Sequence, residues 1–179
     1  MKLESKNKAP KFSVKDYKGN SIRIENYKES KVLLTFFRGA SCSFSNLRIK
    51  KLIQIHKRLE DEGLKIIVFF ASNVSDIEQY ISKHNAKFPI VYDPDLEIYN
   101  QYGIESSKMG RFITMLNPLK NLRAMFSGFF NIKAMFEKPL IPADFLINED
   151  GWIEKAHYGS SFGDHLELKE IINWSKNKL

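Results

Sequence analysis

Two nearly continuous apolar segments flank a stretch of helical periodicity, and this arrangement constrains the fold most strongly. Residues 32–37 and 64–71 are almost entirely apolar, which is typical of strands buried on both faces of a parallel sheet. The stretch between them carries apolar residues at helical spacing, namely Leu47, Leu52, Ile55 and Leu59. Gly63 follows this stretch and predicts its C-terminal end. The order indicates a right-handed strand–helix–strand unit.

The flanking sequence extends this unit on both sides. Before it, residues 10–24 predict a β-hairpin with a turn at 18–20. After it, the pattern predicts a helix (74–84), a strand (88–92), a short helix (94–102), two antiparallel strands (144–148 and 152–158) and a closing helix (164–178). Asp164 and Glu167 have the spacing of a capping box for the closing helix. We therefore expect a single α/β domain over 1–179, with a central mixed sheet flanked by helices and a helical insertion at about 105–141.

Composition excludes several classes of protein. The 179 residues include one cysteine, so no internal disulfide can form, and this fits a reducing cytoplasmic compartment. The polar N-terminus lacks the apolar core of a signal peptide, and the apolar runs are too short for a transmembrane segment. The net charge is +7, but the lysines are scattered, so we expect no nucleic-acid partner.

The single cysteine, Cys42, falls between the first buried strand and the following helix. The N–H groups and dipole of a helix N-terminus favour a thiolate, so Cys42 is a candidate nucleophile. Ser45 lies one turn further on, where its hydroxyl can donate to that thiolate but cannot form a disulfide. Arg38 can add positive charge or bind an anionic substrate. The alternatives are a buried, unreactive Cys42 and an Arg38 that forms a surface ion pair.

Three segments resemble the alkyl hydroperoxide reductase/thiol-specific antioxidant branch of the thioredoxin superfamily. They are Ala9-Pro-Lys-Phe12, Val32-Leu-Leu-Thr-Phe-Phe-Arg-Gly-Ala-Ser-Cys-Ser-Phe-Ser45 and Pro142-Ala-Asp-Phe-Leu-Ile-Asn-Glu-Asp-Gly151. The resemblance implies a thioredoxin-like fold and an antioxidant oxidoreductase acting on peroxide or disulfide. Aligning the Phe-Phe pair places Cys42 at the family's threonine position and Ser45 at its peroxidatic cysteine position. The site is therefore a monothiol Cys-x-x-Ser, and the resemblance implies an external thiol reductant, such as thioredoxin or glutathione, and no bound cofactor.

The same resemblance suggests a substrate-binding edge in the C-terminal third. It implies a cis peptide bond at Pro142 that exposes the backbone of Ile141 to an incoming peptide or glutathione. The loop after the second hairpin strand returns to the thiol edge, so Tyr158, Asp164 and His165 are further candidates. For Asp144, capping or turn chemistry is favoured over a role as a base. A single cysteine and no second close ligand pair predict no metal site.

The insertion is rich in Phe and Met, interleaved with Arg and Lys over 109–138. It predicts a helical subdomain packed on the core, and the other interpretations are a lid over the thiol, a dimer or partner surface, and a membrane-surface element. This leaves a second function class, a non-catalytic thioredoxin-fold binding module that uses the insertion while Cys42 is vestigial. The sequence leaves open whether the chain forms a homodimer.

Overall fold

The computed structural model describes residues 1–106 and 137–177. The strands are β1 (Ser13–Lys15), β2 (Ser21–Arg23), β3 (Lys31–Phe37), β4 (Leu64–Phe70), β5 (Ile90–Tyr92), β6 (Ala143–Ile147) and β7 (Ile153–Tyr158). The helices are α1 (Ser43–Asp61), α2 (Val74–Tyr80), α3 (Glu97–Gln101) and α4 (Leu168–Lys176), with short 3-10 turns at Ile24–Tyr27 and Ser82–His84. Most of the helical insertion predicted at 105–141 lies outside the described residues.

The central sheet is mixed, as the sequence predicts. Its strand order is β5-β4-β3-β6-β7, with β3, β4 and β5 parallel and with β6 and β7 antiparallel to their neighbours. The hairpin β1–β2 forms a separate two-stranded sheet. β3 is the middle strand, and the turn that carries Cys42 starts at its C-terminal end, where residues 37–42 are buried. Together with the flanking helices, this arrangement confirms the predicted thioredoxin-like fold class.

Each face of the sheet carries its own apolar core. One core contains α3 and an aromatic cluster in which the Phe36 and Phe69 rings stack with centroids 4.9 Å apart. The other core packs α1, α2 and α4 against the opposite face. Side chains alternate along β6, so Phe145 joins the first core and Leu146 the second. Residues on the α1 face of β6 and β7 are therefore on the same side of the sheet as the thiol.

Three local predictions were wrong. The closing helix begins at Leu168 instead of 164, because the Asp164 carboxylate accepts the Ser160 N–H and O–H, both at 2.7 Å, and does not cap a helix. The second helix ends at Tyr80 and continues only as a 3-10 turn. The described residues contain no cis peptide bond, so the bond before Pro142 is trans, the lower-energy isomer.

Over residues 1–106 and 137–177, no helix has both the length and the apolar character needed to cross a membrane.

Candidate active site

The turn after β3 places Cys42 at the start of α1. Cys42 is the N-cap residue of the helix, with extended φ and ψ of −71° and 125°, and its side chain makes no capping hydrogen bond. Its N–H donates to Gly39 O at 3.2 Å and its carbonyl accepts the Asn46 N–H at 3.0 Å. Cys42 therefore lies at the N-terminus of α1, next to the first helical turn, although it is only 2 % exposed.

Hydrogen bonds from buried polar side chains fix the backbone of this turn. The Asn46 Nδ2 donates to the carbonyls of Ala40 and Cys42 at 2.8 and 3.0 Å. Asn46 Oδ1 lies 2.9 Å from His84 Nε2, and burial lowers the pKa of His84, which favours a neutral ring with the proton on Nε2. The Ala40 N–H donates to Ser72 Oγ at 2.9 Å. The backbone of the thiol turn is thus tied to α1, to the 3-10 turn that follows α2 and to the segment after β4.

Arg38 lies in the same turn and is buried, with 5 % of its surface exposed. Its guanidinium makes an ion pair with Glu137 at 3.3 Å and lies over the Phe162 ring, 4.3 Å from the centroid. The same carboxylate accepts the Ser41 O–H at 2.6 Å and the Ser41 N–H at 3.3 Å. Glu137 therefore closes over the turn next to the thiol. No motif in the sequence indicated it, because its partners lie almost a hundred positions earlier.

Ser45 is also buried, at the third position of α1. Residues three apart on a helix are neighbours on its surface, so the Ser45 hydroxyl is one turn from Cys42. Its proposed hydrogen bond to a thiolate stays a prediction.

Asp144 is the centre of a buried polar network on the α1 face of β6. The Thr35 hydroxyl donates to it, the Leu166 N–H donates at 2.7 Å, and His165 Nδ1 lies 3.1 Å from both carboxylate oxygens. Burial alone would raise the pKa of Asp144, but His165, Arg48 and the Thr35 hydroxyl together hold it well below its usual range. Asp144 is therefore an interior acceptor in the described structure, which the expected capping or turn role did not anticipate.

His165 belongs to this network. Its side chain is 5 % exposed, and its ring lies 4.7 Å from that of Phe37 at the end of β3. Burial lowers the pKa of His165, although the Asp144 carboxylate opposes this shift. A neutral imidazole that donates from Nδ1 to an ionised Asp144 accounts for the lowered pKa of His165 and for the lowered pKa of Asp144. Asp164 makes a separate pair with His157 at 3.3 Å.

The other predicted substrate-binding residues are dispersed. Tyr158 packs with the core on the face opposite α1, where its hydroxyl donates to the Tyr102 carbonyl and accepts the Leu3 N–H, both at 2.7 Å. Pro142 is buried at the head of β6, its carbonyl accepts the Gly159 N–H at 2.9 Å, and Ile141 is half-buried beside it. The structure brings together Arg38, Cys42 and Ser45, but not Tyr158.

Metal ligands are not clustered in the part of the chain that the structure describes. Within those residues, no group of three or more His, Cys, Asp or Glu side chains is arranged to hold an ion.

The known proteins to which this chain is similar include a thiol-disulfide oxidoreductase and peroxiredoxins. Thiol-disulfide oxidoreductase ResA of Bacillus thuringiensis subsp. konkukian is 26% identical over 104 residues, which cover 58% of this chain and 60% of that protein. Peroxiredoxin Bcp of Escherichia coli is 22% identical over 170 residues, covering 94% of this chain and 92% of that one. The crystal structure of peroxidoxin BcpB from Mycobacterium tuberculosis has the same fold, with a TM-score of 0.69 at 12% identity over 97% of each chain.

The sequence profile of the AhpC/TSA family matches residues 6–156, which include all of β1 to β6 and the turn that carries Cys42. The chain belongs to the AhpC/TSA family.

Proposed function

We propose that this protein is a thiol-dependent antioxidant oxidoreductase in which Cys42 is the nucleophile and an external thiol completes the cycle. The observation that carries the proposal is the position of the chain's one cysteine at the N-cap of α1, with its side chain making no cap bond. The N–H groups of that first turn are oriented to stabilise a thiolate. Family membership supports the same class of chemistry.

The cycle needs only one protein sulfur. With a peroxide ROOH, the Cys42 thiolate attacks one oxygen, the O–O bond breaks, and the products are a sulfenic acid and an alcohol after proton uptake. An external thiol R′SH then forms a mixed disulfide with loss of water. A second R′SH releases reduced Cys42 and the disulfide R′SSR′. With a disulfide substrate, thiolate attack yields the mixed disulfide directly and expels one thiolate.

The test uses single-turnover oxidation followed by intact-mass measurement. Native protein treated with hydrogen peroxide should gain one oxygen, which a 1,3-diketone traps as the sulfenic acid and dithiothreitol removes. Cys42→Ser should show neither event, and thiol-dependent peroxide consumption should cease. Ser43→Ala, at the adjacent helix position, is the matched control and should keep turnover. Turnover that persists unchanged in Cys42→Ser would eliminate the proposal.

The burial of Cys42 favours the second candidate, a binding module without chemistry. The two are separated by the rate of alkylation of Cys42 in folded and urea-unfolded protein. A thiol that reacts only when the chain is unfolded, with a neutral and with a carboxylate-bearing alkylating agent alike, supports the binding module. A folded-state rate equal to or above that of the unfolded chain at neutral pH supports the oxidoreductase.

A further inference from the structure

We propose that the Arg38–Ser41 turn forms a carboxylate-binding cradle beside Cys42, and that Glu137 occupies this cradle until the carboxylate of an incoming substrate replaces it. The inference rests on the proposed function, because a ligand held there matters only if Cys42 reacts. It names the chemical class that the site selects, an organic carboxylate. It also assigns a role to Glu137, which lies near the C-terminal end of the insertion.

The cradle has four components that act on one carboxylate. The Arg38 guanidinium supplies the charge at 3.3 Å, and Ser41 supplies an O–H and an N–H at 2.6 and 3.3 Å. Gly39 supplies space, because a Cβ at this position would lie 2.1 Å from the Glu137 carboxylate. This convergence of a cation, a hydroxyl and a backbone N–H is typical of a site for a carboxylate or another small anion.

Burial explains why the cradle requires an anion at all times. The Arg38 side chain is 6 % exposed and its guanidinium carbon lies over the Phe162 ring. An arginine removed from water in this way is strongly unfavourable without a counter-charge. Departure of Glu137 without replacement is therefore costly, whereas exchange for another carboxylate conserves the pairing. The cradle thus favours opening when an anionic ligand arrives.

The position of the cradle couples this exchange to the thiol. Ser41 directly precedes Cys42, and Cys42 itself is almost completely buried. Glu137 is joined to the turn by contacts that span 96 positions of the chain, so they bring the end of the insertion against the thiol turn. A ligand carboxylate that displaces Glu137 would therefore both anchor the ligand and expose Cys42.

The test compares two alkylating probes of nearly the same shape, iodoacetate and the neutral iodoacetamide. Glu137→Ala empties the cradle while leaving Arg38 in place. We expect the iodoacetate rate at Cys42 to rise about tenfold or more and the iodoacetate-to-iodoacetamide ratio to rise with it, since a charge-assisted pair is gained. Acetate should inhibit iodoacetate in this variant. Glu105→Ala, an exposed acid at the other end of the insertion, is the matched control and should leave the ratio unchanged.

A second variant separates the selection of a negatively charged probe from a general increase in the exposure of Cys42. In Arg38→Gln/Glu137→Ala, the turn is uncovered but has lost its cation, so the ratio should return to that of the unmodified protein. A ratio that does not rise in Glu137→Ala, or that rises equally in the double variant, overturns the cradle while Cys42 still reacts. If Cys42 reacts with neither probe in any folded variant, the proposed function itself fails.

Two further arms identify which reaction partner brings the carboxylate. A fatty-acid hydroperoxide is compared with its methyl ester in the oxidation step, and 3-mercaptopropionate with 2-mercaptoethanol in the reduction step. A preference for the acid in the first pair assigns the cradle to the oxidant, and in the second pair to the reductant. No preference in either pair overturns the inference.

Discussion

Removing the Asp144 carboxylate should destabilise the fold strongly. Asp144→Ala takes away the common acceptor of the Thr35 hydroxyl, the His165 Nδ1–H and the Leu166 N–H. Each buried donor left without a partner costs about 1–3 kcal/mol, and the Thr35 hydroxyl can rotate to find another acceptor. We therefore expect a loss of about 3–5 kcal/mol, similar to breaking other buried charged networks. This is a large part of the roughly 5–15 kcal/mol by which domains are stable.

Urea unfolding followed by circular dichroism measures this loss directly. The midpoint should fall at nearly constant slope, and the melting temperature should drop by about 2–4 °C per kcal/mol for a chain of this size. Asp150→Ala is the matched control, because Asp150 is exposed in the turn of the same β6–β7 hairpin and should change stability by less than about 0.5 kcal/mol. Thr35→Val should cost less in the Asp144→Ala background than alone, since its acceptor is already gone.

Acid adds an independent check on the same carboxylate. The pKa of Asp144 lies below its ordinary value of 3.8, so between the two values the unfolded chain binds more protons than the folded one. The stability that Asp144 contributes is therefore complete above about pH 4 and is lost as the pH falls further. Asp144→Asn should remove this part of the acid dependence.

Two results of the urea experiment would refute the network as described. One is a loss below about 1 kcal/mol in Asp144→Ala, and the other is an undiminished effect of Thr35→Val in the Asp144→Ala background.

Three further predictions concern single groups. Burial lowers the pKa of His165 beside Asp144, so stability should decrease as the pH falls below about 6.5, and His165→Gln should flatten the urea midpoint between about pH 7 and 5. Tyr99→Phe removes a buried hydroxyl that donates to carbonyls at the ends of β3 and β4, and urea unfolding should show a loss of about 1–3 kcal/mol. Gly39→Ala should displace Glu137 and raise the iodoacetamide rate at Cys42, and an unchanged rate would contradict the close contact.

The main strands and α1 could be predicted because their signals are local. Residues 32–37 and 64–71 are almost entirely apolar, and the structure places them in β3 and β4 within about one residue. Cys42 at the start of α1 followed from the same boundary. The N-terminus of α4 could not be predicted this way, because Asp164 satisfies Ser160 four residues earlier instead of a helix N–H. A local spacing rule cannot tell which donor a carboxylate will meet.

The site itself depends on contacts that sequence spacing does not reveal. Asp144 is one acid within an apolar strand, and its role is decided by Thr35 across the sheet and by His165 from a later loop. Glu137 is one acid beside a lysine, and its role is decided by Arg38 and Ser41. In both cases a charge is buried beside partners that are distant in sequence and that only the fold brings close. The sequence could therefore locate the turn that carries Arg38 and Cys42, but not Glu137 as the counter-charge of Arg38.

The thiol turn is held unequally on its two sides, and this difference decides how Cys42 can become reactive. On the inner side, Ala40 is fixed by Ser72 and Asn46, groups that belong to the sheet edge and α1. Opening there would disrupt the core. On the outer side, within the part of the chain that the structure describes, the Glu137 carboxylate contacts Arg38 and Ser41, and we propose that another anion can replace it. If Glu137 controls access to the thiol as proposed, substitutions there should raise Cys42 reactivity. Replacement by a neutral residue should also lower the free energy of unfolding, because the buried Arg38 guanidinium loses that carboxylate.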